Sequence, residues 1–386
     1  MKYPFRYHHI LQLLNDYESS QLPIDLTISR YFQANRALGS KDKKEVAETI
    51  YTLLRWLLLI DYLSGAKTYE ERLNFLPSFD PLSYQERLDI PLHTRCAFPE
   101  TLFKRIAASH GEDKAYAICL ASNTVAPTTV RTNTLKITRD ALLKRFQEAH
   151  FSVSATQHSG EGITFHEKIH FYSTEEFKEG LFEIQDEASQ LVALKIDIKP
   201  GEHVLDYCAG SGGKALAFAP RMNGMGQVYI HDIRPWILDE AKKRLKRAGI
   251  QNYQLLLPDS AQKKKLKKKM DWVLVDAPCS GTGTLRRNPD LKLKDTDAML
   301  ERLLGQQRKI FEQALSYLKP GGKIVYSTCS LLNEENQEQV EHFIQTYGLI
   351  LVEEPFITIP EKGGMDGFFA AVFKSCEKSD IPLFTG

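Results

Sequence analysis

The sequence predicts an α/β protein: a Rossmann-like, doubly wound domain in the second half, preceded by an all-α domain and a small α+β domain. Three observations carry this. From about residue 181 onward, short apolar runs alternate with amphipathic ones, the pattern of strand–helix–strand units in a doubly wound parallel sheet. Several of those runs stop abruptly at an aspartate or a glycine loop, as at Asp206, Asp232 and Asp276. Residues before about 95, in contrast, carry apolar side chains at helical spacing.

In order, Tyr7 to Tyr17 is an amphipathic helix with Ile10, Leu11, Leu13 and Leu14 on one side, and Ile28 to Leu38 is a second. Ser40 is placed to cap a third, with Asp42 and Glu45 in the first turn where the helix dipole favours negative charge. It runs through Val46, Ile50, Leu53, Leu54 and Leu57 to about Leu63, as the central helix of a small bundle. The mixed segment has helices at Leu102–His110, Asp113–Ala121 and Arg139–His150, a strand at Thr129–Asn133, and edge strands at Ile163–Phe165 and Ile169–Phe171. Arg131 and Asn133 either reach a polymeric substrate or lie on a solvated strand face. The α/β segment starts with a helix at Gln185–Leu194. Strands follow at His203–Asp206, Gln227–Ile230, Tyr253–Leu257, Trp272–Val275 and Lys323–Tyr326. Helices are expected at Ile237–Ala248, Asp297–Leu318 and, capped by Asn333 and running through Glu334 and Glu335, to Tyr347.

Composition narrows the chemistry. With 42% apolar and 26% charged residues the chain is of globular type, and at net charge +1 any nucleic-acid surface must be a local patch. The run Lys263 to Lys269, with Lys242, Lys243, Arg244, Lys246 and Arg247, is one candidate for phosphate contact, and a solvated loop is the plainer alternative. Six scattered cysteines without a C-x-x-C pair argue against a zinc site and a disulfide framework, so no metal is expected. The opening M-K-Y-P-F-R-Y-H-H lacks an apolar signal core, and Trp56 to Ile60 is too short to span a bilayer, so a cytoplasmic, non-membrane protein is expected.

Candidate functional residues cluster at strand ends, the edge where open α/β sheets bind ligands. Asp276-Ala277-Pro278-Cys279-Ser280-Gly281-Thr282-Gly283 follows one strand and Ser327-Thr328-Cys329-Ser330 another. Buried structural cysteines are the alternative, and the placement of both thiols at strand ends beside polar loops rather than in mid-strand argues against it. Cys208, Ala209, Gly210, Ser211, Gly212, Gly213 and Lys214 form a glycine-rich turn that would hold a dinucleotide, or adenosine with an amino-acid tail. Asp232 is placed to accept ribose hydroxyls, and Asp259 to meet an adenine amino group. An NAD site accounts for the glycines and Asp232 but leaves Asp276 and both cysteines unused. One reaction uses them all. Carbon 5 of cytosine is too weak a nucleophile to be methylated directly, and a thiolate adding to carbon 6 makes carbon 5 enamine-like. That carbon can then take the sulfonium methyl of S-adenosylmethionine, after which a base removes the carbon 5 proton and the thiol leaves.

On D-A-P-C-S-G-T-G (Asp276 to Gly283), S-T-C-S (Ser327 to Ser330), D-Y-C-A-G-S-G-G-K (Asp206 to Lys214), Q-D-E-A-S (Gln185 to Ser189) and D-G-F-F (Asp366 to Phe369), the chain resembles the Sun/RsmB family of RNA cytosine-carbon-5 methyltransferases. The resemblance implies an S-adenosylmethionine-dependent enzyme with Cys329 as nucleophile, Cys279 assisting release and Asp276 holding the base and contacting the cofactor. It implies a NusB-like domain over 1–95, a small RNA-binding domain over 96–180 and a methyltransferase domain over 181–386. The implied substrate is 16S small-subunit rRNA, with tRNA as runner-up, a monomer as the expected state, and a non-catalytic ribosome-assembly factor as the non-enzyme alternative. Two departures stand out: Gly210-Ser211 replaces the usual Ala-Pro, and Ile237 stands where an arginine is common. His231 lies nearest the cofactor cleft and receives no role.

Overall fold

A computed structural model of the chain describes residues 4–20, 22–294 and 296–375, so Cys376 lies outside the described residues. Contacts divide the chain into two units. The first comprises residues 1–125, 284–296 and 360–362. Its helices include Pro4–Ser19, Ile24–Ala34 and the long Ser40–Ser64. Ile10, Leu13 and Leu14 pack with Ile28, Tyr31, Val46, Ile50, Leu53 and Leu54 in one apolar core. The second helix starts at Ile24, four residues before the sequence suggested, because Pro23 leads directly into it. Ser40 is the first helical residue rather than the cap, a position taken by Gly39. The segment 284–296 supplies buried polar anchors to this unit. Asp290 accepts from the Tyr17 hydroxyl (3.2 Å) and the Ile24 amide (3.3 Å). Lys292 donates to the Arg55 carbonyl (2.6 Å) and the Asn123 side-chain oxygen (2.8 Å), and burial lowers its pKa to about 7.

The second unit comprises residues 126–283, 297–359 and 363–386. It contains an antiparallel four-stranded sheet, ordered β2-β3-β1-β4, of β1 (Thr128–Thr132), β2 (Val153–Ala155), β3 (Gly162–Phe165) and β4 (Phe182–Ile184). Phe146, Phe165, Phe171 and Phe182 close its core edge-to-face. The strand expected at Ile169–Phe171 is absent; Phe171 instead opens a single 3-10 turn that drops its ring into that core.

The large sheet has β5 (His203–Asp206), β6 (Gln227–His231), β7 (Tyr253–Leu256), β8 (Met270–Asp276), β9 (Leu318–Thr328), β10 (Leu349–Leu351), β11 (Phe356–Thr358) and β12 (Phe368–Ser375). Its order is β10-β12-β9-β8-β5-β6-β7, with β11 paired to β12. Strands β5 to β9 run parallel, and β12 lies antiparallel to β9. Both faces are covered, which is why the strands read as unbroken apolar runs rather than alternating ones. Val204, Val228 and Leu274 meet helices Glu187–Ala193 and Pro235–Ala248 on one face. Leu205, Tyr229 and Val273 meet helices Asp297–Leu315 and Gln337–Tyr347 on the other. Strand order reverses beside β5, so the tips of β5 and β8 flank the crevice where such sheets take ligands.

Arg131 and Asn133 are corrected by the fold: both are buried, so neither reaches a polymer nor faces solvent. Asn133 donates to the carbonyls of Gly180 and Ala248, both at 2.8 Å, and Arg131 to Gln185 and the Gly213 carbonyl. They join the small sheet to the large one. The helix expected from Asn333 is also broken: a 3-10 turn covers Asn333–Glu335, and the α-helix starts at Gln337 after the irregular Asn336.

Candidate active site

Register brings the two cysteine loops together. Asp276 on β8 pairs with Ser327 on β9, so the residues three and two positions further on emerge side by side. The sulfurs of Cys279 and Cys329 lie 3.4 Å apart, and the Cys329 amide points at Cys279 Sγ at the same distance. Both residues are partly buried. The hydrogen bond with Cys329, reinforced by burial and the Glu335 carboxylate, pushes the Cys279 thiol well up. Beside them, Asp276 accepts from Lys214 (2.5 Å) and from the Ser327 hydroxyl (3.0 Å).

Gly283 closes the first loop against both other motifs. Its amide donates to the Cys329 carbonyl (2.8 Å) and its carbonyl accepts from Gly367 (2.9 Å). A Cβ there would lie 2.1 Å from the Gly367 oxygen and 2.9 Å from the Cys329 oxygen, so only glycine fits. The D-G-F-F segment is tied in turn to Q-D-E-A-S: Asp186 caps its own helix at Ala188 (2.9 Å) and accepts the Asp366 amide (3.2 Å). The sequence reading missed Glu335. Fully buried, it accepts from the Ser280 amide (2.9 Å), the Ser280 hydroxyl (2.6 Å) and Gln307 (2.9 Å), and so holds the residue next to Cys279.

The glycine turn lies at the tip of β5, with Gly210 and Gly212 in left-handed conformation (φ +51° and +80°). A Cβ at Gly210 or Gly213 would meet nothing within 4 Å, which leaves the loop's surface free for a ligand. The Ala209 amide donates to the His231 carbonyl and the Gly210 amide to Asp232, both at 2.9 Å. Asp232 is also clasped by Arg234 through two side-chain bonds of 2.9 and 3.0 Å; although burial opposes it, Arg234 draws the carboxyl below its ordinary range. His231 packs on the Tyr207 ring (4.6 Å between centroids) and bonds its carbonyl (2.8 Å), with Lys263 3.1 Å away, and burial lowers its pKa. Asp259 lies in the turn after β7, where its charge acts on Lys263. Burial, with the charge of Asp206 next, pushes the Cys208 thiol well up.

The fit of an aminoacyl-nucleoside cofactor is tested by Asp206. Its carboxyl is fully buried, and burial, with repulsion from Asp276, raises its pKa to about 8, although Lys214 and the Ala215 amide oppose the shift. The charges of Asp276 and Asp232 both raise it, and Lys214 opposes them. The open surface at Gly210 and Gly213, with the Asp232 carboxylate beside the turn, fits a ribose-bearing ligand with a cationic group.

A glycine turn, a strand-end carboxylate and this strand order define a Rossmann-like methyltransferase domain. Comparisons agree. The family model for the 16S rRNA methyltransferase RsmB/F matches residues 193–374, and that for the RsmF/B-like ferredoxin-like domain matches residues 98–171. A probable ribosomal RNA small subunit methyltransferase B of Bacillus subtilis is 32% identical over 313 residues, 76% of this chain and 69% of that protein. Its Synechocystis counterpart is 31% identical over 261 residues, 67% of this chain and 58% of that protein. The alignment with the latter thus spans under two thirds of the relative's length. The crystal structure of PH0851 superposes with a TM-score of 0.81 at 22% identity, covering 97% of this chain and all of that one, which shows the shared fold. The chain belongs to the RsmB/F methyltransferase family.

Proposed function

We propose that this protein methylates carbon 5 of a cytosine in RNA, with 16S rRNA as substrate. The observation that carries the reading is the 3.4 Å approach of Cys279 and Cys329 beside the Asp276 carboxylate. Bound over Cys208 to Lys214, with Asp232, Asp259 and Asp276 as further contacts, S-adenosylmethionine supplies an electrophilic methyl group. Cys329 adds through sulfur to carbon 6 of a cytosine drawn out of its stack. Asp276 holds the exocyclic amino group and ring nitrogen 3 of the base. Carbon 5 of that adduct takes the methyl, a base accepts the carbon 5 proton, and the carbon 6–sulfur bond breaks to return Cys329 as a thiolate; Cys279, kept protonated by its neighbour and by burial, stays a thiol during attack and assists this release. Glu335 fixes the Cys279 loop through Ser280.

The proposed substrate class follows the relatives' names, which specify small-subunit ribosomal RNA. No described helix is long and apolar enough to cross a membrane. A monomer acting without metal in the cytoplasm completes the reading. It is tested with unmodified 16S rRNA and transfer RNA side by side. Methyl label at carbon 5 of cytosine in rRNA is expected. Label in transfer RNA alone would keep the chemistry and replace the substrate, and tight RNA binding without label in either would favour an assembly factor.

A further inference from the structure

The centre of the cofactor turn is Gly210-Ser211-Gly212-Gly213, a stretch with one side chain in four residues. Glycine loses more freedom on being fixed than any other residue, and a proline in the turn would lessen that loss. This chain has no such proline. Ser211 is instead gripped from outside. Arg244, on helix Pro235–Ala248, donates one guanidinium nitrogen to the Ser211 carbonyl (3.1 Å) and to its hydroxyl (2.5 Å). Two other nitrogens of the same group bind Glu183 at 3.1 and 2.9 Å. Glu183 stands on β4 of the small sheet, is buried, and is also bound by Arg247. On the turn's far side, Arg131 of β1 donates to the Gly213 carbonyl (3.1 Å).

We propose that Arg244, anchored by Glu183, is the positioning residue that holds Ser211 and with it the cofactor turn, so that the small sheet sets the affinity for the cofactor. The planar fork suits this: one edge takes the carboxylate while the other reaches the turn, a geometry lysine cannot reproduce. The inference rests on the reading of the turn as the S-adenosylmethionine site.

The test uses the full-length protein. S-adenosylmethionine binding is measured by calorimetry, and amide exchange at residues 209–214 is followed without ligand. Arg244→Ala should weaken cofactor binding about tenfold, the scale of one charge-assisted hydrogen bond. It should also speed exchange in the turn. Melting temperature should stay close to wild type because Glu183 keeps Arg247, and so should RNA affinity, because the Arg244 guanidinium is engaged by Glu183 and Ser211 rather than turned to a phosphate as the sequence suggested. Arg244→Lys should recover only part of the loss. Ser211→Ala should weaken binding less, and adding it to Arg244→Ala should cost nothing more. Unchanged affinity and exchange in Arg244→Ala, or strictly additive losses in the double variant, would overturn the positioning role. So would a parallel fall in RNA affinity and melting temperature, which marks a merely structural residue. If the wild type itself fails to bind S-adenosylmethionine, the reading of the site falls; if it binds and Arg244→Ala binds as well, only the positioning role falls.

Discussion

At the scale of single residues, the two neighbouring thiols of the proposed mechanism have different work. Cys329→Ala should abolish methyl transfer and leave cofactor binding intact, whereas Cys279→Ala should accumulate a protein–RNA adduct seen as a slow band on a denaturing gel. Gly283 makes a purely geometric prediction. Its Cβ-free contacts with Gly367 and Cys329 leave no room for alanine, so Gly283→Ala must displace the Cys329 loop. A shift near 1 Å at reacting groups costs roughly 100-fold in rate, which single-turnover methylation would register while cofactor binding persists. Asp206 makes a prediction about pH. Its folded pKa of about 8 lies above the unfolded 3.8, so its contribution to stability is complete below about 4 and is lost as pH rises toward 8. Melting of the ligand-free protein should therefore fall over that window, and less steeply in Asp206→Asn. Asp276, Cys279 and Cys329 were legible because each sits at the end of an apolar run, where register alone decides which residues meet. Glu335 and Arg244 were not, because Ser280 lies 55 residues from the first and Ser211 33 residues from the second, and only the folded chain pairs them.

At the scale of elements, the helices behind β9 brace the Cys279 loop, with Gln307 donating to the Pro278 carbonyl (3.0 Å) and to Glu335 (2.9 Å). Phe343, on Gln337–Tyr347, stacks on Phe311 at 3.7 Å between centroids, and Tyr326 and Phe373 close the cluster edge-on. Phe343→Ala empties the middle of that fully buried cluster and should cost about 3–5 kcal/mol in denaturant unfolding. The strand–helix alternation from β5 to β9 was readable because parallel strands buried on both faces keep continuous apolar runs. Strand β12 escaped notice although its first residues were singled out as a motif. It enters the sheet antiparallel beside β9, a non-local pairing that no short-range signal announces. The helix break at Asn336 was hidden too, since Asn333, Glu334 and Glu335 read as a good helix start. The buried side chain of Glu335 goes to Ser280 instead, and Asn336 turns back to the Ser330 carbonyl (2.9 Å).

At the scale of the whole molecule, the helical unit is not continuous in sequence. Asp290 and Lys292 are buried in it, yet they come from the segment that follows the Cys279 loop. A fragment of residues 1–125 should therefore be less stable in urea than the same fragment supplied with a 284–296 peptide, because the Arg55 and Asn123 acceptors are otherwise left unmet. Amphipathic periodicity revealed that this region was helical. It did not reveal the returning segment, whose few apolar residues carry no periodic signal. The central claim is cysteine-dependent methylation of cytosine, and transfer of tritium from methyl-labelled S-adenosylmethionine to unmodified 16S rRNA, with Cys329→Ala beside the wild type, tests it most directly. Label recovered as 5-methylcytosine with wild type and absent with Cys329→Ala is the predicted result; label transferred equally well by Cys329→Ala, or found on a base other than cytosine, would contradict it.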